Sequence, residues 1–162
     1  MTIKLDDHFF QQLLSTARQS PRKRSHFNLH QQMDEPVQRL CIGLIKGTYV
    51  RPHHHPQDTK WELMLCLKGR VCLITFHPDG HVLERLQLAP GESITGIELS
   101  PNSWHSVFPL SDEAVILEVK QGPYTPANES DFASWSPKEG DAEVRSFLAW
   151  LEQAQPGDRY QC

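Results

Sequence analysis

The amino-acid sequence predicts an all-β core flanked by short helices, and the pattern of apolar runs and turns carries that prediction. Between Val37 and Phe108, short apolar runs alternate with turn sequences that contain glycine: Lys46-Gly47, Lys68-Gly69, Pro78-Asp79-Gly80 and Pro90-Gly91. Many short strands separated by such turns are typical of a closed or sandwiched β architecture. The length of 162 residues suits one domain with a single core.

A helix is predicted at each end of the chain. Residues 6–18 carry apolar side chains at helical spacing, and Asp6 or Asp7 is a candidate N-cap; the apolar residues are Phe9, Phe10, Leu13, Leu14 and Ala17. Ser20-Pro21 ends this helix, and strand-like sequence follows from Arg24 to His30. Residues 141–154 predict the second helix, whose apolar stripe consists of Val144, Phe147, Leu148 and Leu151.

The strands between these helices predict the order of the core. Residues 61–76 and 81–88 form the clearest hairpin, because a Pro-Asp-Gly turn separates them, and residues 114–119 form the last core strand. From Gly122 onward the sequence is irregular and can lie across the barrel. We therefore expect one domain with a leading helix and strand (residues 1–36), a β core (37–121) and a C-terminal extension with a helix (122–162).

Composition narrows the classes of partner. The net charge of -4, from 16 basic and 20 acidic residues, gives no electrostatic argument for a nucleic-acid partner. The N-terminus has no apolar stretch typical of a signal peptide, and no long apolar run predicts a membrane span. We expect a cytoplasmic protein with no membrane partner. Cys41, Cys66, Cys72 and Cys162 have no CxxC spacing, and the first three are predicted to be small buried strand residues.

The sequence around the triple histidine predicts a metal site. In an extended strand, His53 and His55 share one face while His54 points to the other. Glu62 opens the next apolar run and can supply a carboxylate, and His105 is the later histidine that lies in strong strand sequence. Imidazole and carboxylate groups suit a divalent transition metal, so His53, His55, Glu62 and His105 are the predicted ligands.

These residues resemble the first motif of the cupin superfamily, and residues 101–105 resemble the second motif, without its glycine and one residue shorter. The general first motif is Gly, five residues, His-x-His, three or four residues, Glu, six residues and Gly; Gly47, His53, His55, Glu62 and Gly69 match it, with a longer loop before Glu62. The segments RPHHHP, KWEL, ELSPNSWH, EVKQGPY and DFASWSP are similar to the WbuC-type cupin-fold metalloproteins. The resemblance implies a double-stranded β-helix, or jelly roll, that holds one divalent transition metal ion (Zn, Fe, Mn or Ni).

The same strand faces predict the walls of a pocket. Continuing the face of His53 backwards gives Tyr49 and Arg51, and continuing from Glu62 gives Met64. Arg51 can recognise a small anion, either a carboxylate or a sugar phosphate, or can be a surface residue at a strand end. His26, Asn28 and His30 share a face that either lines the pocket mouth or is a solvated strand edge. Tyr49, His26 and His30 are candidates for proton transfer, and Arg51, Tyr49, Asn28 and Met64 for substrate binding.

The sequence is compatible with one main function and two alternatives. The resemblance implies a role in surface-polysaccharide (O-antigen, lipopolysaccharide) or sugar metabolism, with isomerase- or epimerase-like chemistry on a small anionic sugar-derived substrate. A non-catalytic module that holds a small ligand at the metal is the first alternative, and an Fe(II)-dependent oxygenase is the second. The resemblance is also compatible with a homodimer.

Overall fold

The computed structural model describes residues 2–161, in which eight strands form two antiparallel sheets. The first sheet has the order β1-β2-β8-β3-β6 and the second has the order β5-β4-β7. The strands are β1 (Arg24–Asn28), β2 (Val37–Ile45), β3 (Glu62–Lys68), β4 (Val71–Phe76), β5 (Val82–Leu88), β6 (Gly96–Leu99), β7 (Trp104–Pro109) and β8 (Glu113–Gln121). The predicted all-β core in the form of a cupin jelly roll is confirmed.

Two helices cover the outer faces of the sheets. Helix α1 (Asp7–Gln19) begins where the Asp6 carboxylate accepts a hydrogen bond from the Phe9 N–H at 3.0 Å. Its buried face packs on the first sheet in a cluster that includes Leu14, Cys41 and Val115. Helix α2 (Val144–Leu151) packs on the second sheet through Phe147 and Leu151, which contact the cluster of Cys72, Ile74, Phe76 and Phe108. A 3-10 turn (Glu129–Asp131) precedes it.

The main core lies between the two sheets. Its buried side chains come from both sheets and include Leu40, Ile42, Met64, Leu73, Leu88, Val107 and Ile116. All six residues of β4 are buried, because one face of that strand meets the first sheet and the other meets α2. A strand buried on both faces shows a continuous apolar run in place of alternation.

The predicted strand over residues 61–76 was too long. The chain turns at Gly69, whose φ of +74° is readily adopted by glycine, and separates β3 from β4. β3 pairs with β6 and β8 in the first sheet, whereas β4 pairs with β5 and β7 in the second. The hairpin therefore consists of β4 and β5 alone. Lys68-Gly69, one of the predicted turns, is the point at which residues 61–76 divide into two strands.

The irregular C-terminal extension crosses one end of the barrel. Backbone hydrogen bonds attach it to the β1–β2 connection, from Gly122 N–H to the Pro36 carbonyl at 2.8 Å and from Tyr124 N–H to the Met33 carbonyl at 2.7 Å. Farther along, the Ala133 N–H donates to the Pro52 carbonyl at 2.9 Å. This crossing brings residues 124–139 next to the triple histidine. Over residues 2–161, no helix has the length and apolar character that a membrane span needs.

Candidate metal centre

The triple histidine does not lie on a regular strand, contrary to the sequence prediction. Residues 48–61 are irregular except for an isolated bridge at His53. There the His53 N–H donates to the His105 carbonyl at 3.0 Å, and the His105 N–H donates to the His53 carbonyl at 2.9 Å. The His54 N–H donates to the Asp131 carbonyl at 2.9 Å on the other side. Hydrogen bonds to the segments around His105 and Asp131 therefore hold this stretch, which does not belong to either sheet.

The predicted alternation of the three histidine side chains survives this irregularity. One ring nitrogen from each of His53, His55 and His105 can be chosen so that the three atoms lie within 4.8 Å of one another. The His54 ring instead stacks on the indole of Trp104, with ring centroids 4.0 Å apart and planes 24° apart. The structure thus brings together three of the four predicted ligands and turns His54 away from them.

Backbone carbonyls orient two of the three imidazoles. His53 Nδ1 lies 3.0 Å from the Arg51 carbonyl, and His105 Nδ1 lies 2.9 Å from the Ser103 carbonyl. Each Nδ1–H donates to its carbonyl, which leaves the Nε2 lone pair free to ligate. Metal-binding histidines commonly have such a partner on the other ring nitrogen. The histidine group therefore fits a divalent transition metal ion.

Glu62 lies beside this group. Its buried carboxylate places Oε2 at 2.9 Å from His55 Nε2 and 3.7 Å from His105 Nε2. A fourth ligand from Glu62 stays a prediction, because these contacts bring the carboxylate to the histidines without defining what it coordinates.

The charges around the group favour the ligating protonation states. Burial, and then the neighbouring His105 and His55, hold the pKa of His53 well below its usual range, and burial lowers the pKa of His105. Burial alone raises the pKa of Glu62, but the Lys120 ammonium and the hydrogen bond from His55 more than offset it and hold that pKa well below its usual range. Neutral imidazole and ionised carboxylate are the forms that bind metals.

A cavity of about 440 Å³ opens in front of the histidines. Met64 of β3, fully buried, lines it, and His26, Asn28 and His30 line it from β1 and the turn that follows. Both interpretations of the β1 face hold in part: β1 is an edge strand on which His26 and Asn28 are exposed, and the same face borders the cavity. His26 and His30 therefore lie on the cavity wall, and their role in proton transfer to a ligand stays a prediction.

Tyr49 does not line this cavity, contrary to the expectation. Its hydroxyl donates to the Pro137 carbonyl at 2.8 Å, and its ring packs on Phe147 beneath α2. The expectation extended the two-residue period of a strand from His53 back to Tyr49, but the backbone between them is irregular, so the period does not continue as far as Tyr49.

Arg51 borders the cavity but is already engaged by the C-terminal extension. Its guanidinium donates to Glu129 Oε1 at 3.0 Å, to the Ala133 carbonyl at 3.0 Å and to Ser136 Oγ at 3.4 Å. It also lies over the Phe132 ring, 5.2 Å from the centroid. These contacts attach the extension to the metal-site segment, and a role of Arg51 in binding an anion stays a prediction.

Lys60, Glu118 and Lys120 are among the charged residues at the cavity that were not predicted from the sequence. Lys60 precedes β3, while Glu118 and Lys120 lie on β8 beside it, in the register Met64 to Glu118 and Glu62 to Lys120. Lys120 Nζ is 3.1 Å from Glu118 Oε2. Charged residues at alternate positions late in an apolar strand, as in Glu118-Val119-Lys120, were the signal that could have revealed the pair.

An antiparallel jelly roll with a histidine group at one open end defines a cupin-fold protein with a site suited to a metal ion. TT1209 from Thermus thermophilus is 22% identical with a TM-score of 0.52, covering 74% of this chain and 97% of its own. KdgF from Halomonas sp. is 14% identical with a TM-score of 0.50, covering 65% of this chain and 84% of its own.

A cupin superfamily protein from Desulfitobacterium hafniense DCB-2 is 14% identical with a TM-score of 0.47, covering 60% of this chain and 76% of its own. Of these three structures, TT1209 and KdgF support the assignment of the fold. Because both are less than 25% identical to this chain, the similarity shows the fold and not the function. No curated protein matches the sequence significantly. Residues 5–88 match the model of a domain of unknown function, DUF6016, and the chain belongs to that family.

Proposed function

We propose that this protein binds one divalent transition metal ion through His53, His55 and His105, with Glu62 as a fourth ligand. The observation that carries the proposal is the convergence of the three imidazoles within 4.8 Å at the wall of a cavity. The backbone carbonyls that accept from Nδ1 of His53 and His105 support it, because they present the Nε2 atoms to a common point.

The proposed role of the metal is to hold a small anionic, sugar-derived molecule in the cavity and to polarise one of its oxygen atoms. The protein residues would bind and orient this ligand, and His26 or His30 would move a proton. Such an arrangement suits an isomerase- or epimerase-like reaction, and the resemblance to WbuC-type proteins motivates a substrate from surface-polysaccharide metabolism.

A non-catalytic module that holds the same ligand is the second candidate. The position of Tyr49 favours it, because one of the three predicted proton-transfer residues lies outside the cavity. Double replacement of His26 and His30 by Gln separates the two candidates. A catalytic protein loses turnover in the metal-loaded double variant, whereas a binding module shows no turnover in either form.

Metal analysis of purified variants tests the site itself. We expect about one metal ion per chain in the wild type, and at least tenfold weaker binding after His53→Ala or His105→Ala, since loss of even an outer partner of a ligand costs about 10–100-fold. The matched control is His54→Ala, which removes an imidazole from the same segment but not from the group.

Elemental analysis and competition with a chelating dye measure the affinity, and circular dichroism verifies that each variant is folded. The assignment of faces is wrong if His54→Ala removes the metal while His53→Ala retains it.

A further inference from the structure

Lys60 is a buried cation beside the histidine group. It lies two residues before the start of β3, in a turn in which its N–H donates to the Gln57 carbonyl at 3.0 Å. Its exposed fraction is only 8%, and its side chain lines the main cavity together with His53 and His55. Lys60 also borders the small pocket behind the group, which Glu62 and His105 line. Lys60 therefore borders the same cavity as the proposed metal ligands.

Within residues 2–161, no carboxylate or other hydrogen-bond acceptor lies at bonding distance from the Lys60 ammonium. Each of the other cations that line the cavity has a carboxylate partner. Lys120 is paired with Glu118 at 3.1 Å, and Arg51 with Glu129 at 3.0 Å. Arg22 and Arg24 share Glu139. Because Lys60 lines the cavity and its charge is not used in an ion pair, an anion that enters the cavity would be attracted to it.

The opposite wall of the cavity offers neutral hydrogen-bonding groups. Burial, and then the charges of Arg24 and Arg22, lower the pKa of His26 to about 4, so its ring is neutral near pH 7. His30 Nδ1 lies 3.0 Å from the Arg39 nitrogen and 2.8 Å from the Arg39 carbonyl oxygen, and its buried Nε2 has no partner among the described residues. Asn28 lies between them on the same wall. Neutral donors and acceptors of this kind suit hydroxyl groups.

We propose that Lys60 receives the carboxylate of a polyhydroxylated acid, whose hydroxyl-bearing chain lies along His26, Asn28 and His30. This assignment rests on the proposed function, because it requires a ligand held at the histidine group. A carboxylate suits the site better than a phosphate. Lys60 offers a single positive charge, and a dianion would place its second charge near the carboxylates of Glu62 and Glu118. A cavity of about 440 Å³ lies within the range that binds small molecules.

Calorimetric titration of the metal-loaded full chain tests this assignment. The probes are D-gluconate, D-glucuronate and D-galacturonate, with sorbitol as a neutral polyol and glucose 6-phosphate as a phosphate. We expect at least one of the three acids to bind and sorbitol to bind at least tenfold more weakly. Lys60→Met should weaken the binding of that acid by about tenfold to a hundredfold, because a charge-assisted hydrogen bond is lost. Lys46→Met, in an exposed turn, is the matched control and should change nothing.

Metal content is measured on every sample, so that the failure of the two proposals can be distinguished. Absence of bound metal in the wild type overturns the proposed function. A metal-loaded wild type that binds none of the three acids, or that binds glucose 6-phosphate more tightly, overturns the carboxylate assignment.

Unchanged acid affinity in metal-loaded Lys60→Met overturns the role of Lys60. If Lys60→Met does not fold, Lys60→Arg decides the question: it keeps the charge and should retain binding to within about tenfold, while Asn28→Ala should reduce the affinity for the acid but not for acetate.

Discussion

At the scale of single residues, the site depends on hydrogen bonds that orient side chains rather than on the side chains alone. His53 and His105 each donate from Nδ1 to a main-chain carbonyl two residues earlier in the chain, those of Arg51 and Ser103. This repeated arrangement selects one tautomer for both rings, so two ligands are preorganised by the backbone. His54, between two members of the group, is held away by its stack on Trp104.

Glu62→Gln is the residue-scale test of the fourth ligand. We expect at least tenfold weaker metal binding, because an amide neither carries the negative charge nor ligates as well as the carboxylate. The matched control is Glu98→Gln, an exposed position on the adjacent β6. Chelator competition measures the affinity, and the absorption spectrum of the Co²⁺ form reports the ligand set. If both are unchanged in Glu62→Gln, the carboxylate lies outside the coordination sphere.

At the scale of elements, paired strands and the C-terminal extension together build the cavity. The antiparallel register places Glu62 of β3 opposite Lys120 of β8, so the carboxylate beside the histidines has a half-buried cation as neighbour. The extension closes the same end through two ion-pair groups, Arg51 with Glu129 and the pair Arg22 and Arg24 with Glu139. The extension thus covers the site through contacts between charged side chains.

Glu139→Gln tests how firmly the extension is attached. Arg24 is 9% exposed, and this substitution removes the carboxylate that it shares with Arg22. We expect the free energy of unfolding to fall by about 1–3 kcal/mol, the magnitude of a hydrogen bond to a charged group. Urea denaturation measures this change, and limited proteolysis should cut residues 122–141 faster. Glu84→Gln, exposed on β5, is the control; equal stability of the two variants would contradict the attachment.

At the scale of the whole molecule, three packed layers surround the site: α1 on the first sheet, the core between the sheets, and α2 on the second sheet. Each layer contains one buried free cysteine, namely Cys41, Cys66 and Cys72 in that order. Cys162 lies outside the described residues. The three cysteines therefore report separately on the integrity of the three layers.

Alkylation with iodoacetamide tests whether these layers open together. Burial raises the pKa of Cys41, Cys66 and Cys72 to about 11, so at pH 8 each thiol is protonated as well as shielded in the native state. In a Cys162→Ser background, we expect little modification of the native protein and rapid modification of all three in urea. Mass spectrometry of peptides measures each site. Reaction of one cysteine at the rate of a free thiol would show that its layer opens on its own.

Much of the fold could be predicted because its signals are local. The first helix was expected over residues 6–18 and spans Asp7–Gln19, and the second was expected over 141–154 and spans Val144–Leu151. The hairpin was overextended, because apolar residues continue across Gly69 although the chain changes sheets there. Periodicity reports local conformation, and it does not report which sheet a strand joins.

The sequence by itself determined the all-β class, the two terminal helices and the histidines as candidate ligands, because periodicity, turn residues and side-chain chemistry are properties of short segments. The tertiary structure decided which polar groups meet. It placed Tyr49 under α2, engaged Arg51 with residues 129–136, set Lys120 opposite Glu62 and left Lys60 without a partner among the described residues. Each of these outcomes depends on contacts between segments that are far apart in the chain. The periodicity and turn residues of a short segment do not indicate which distant segment it will contact.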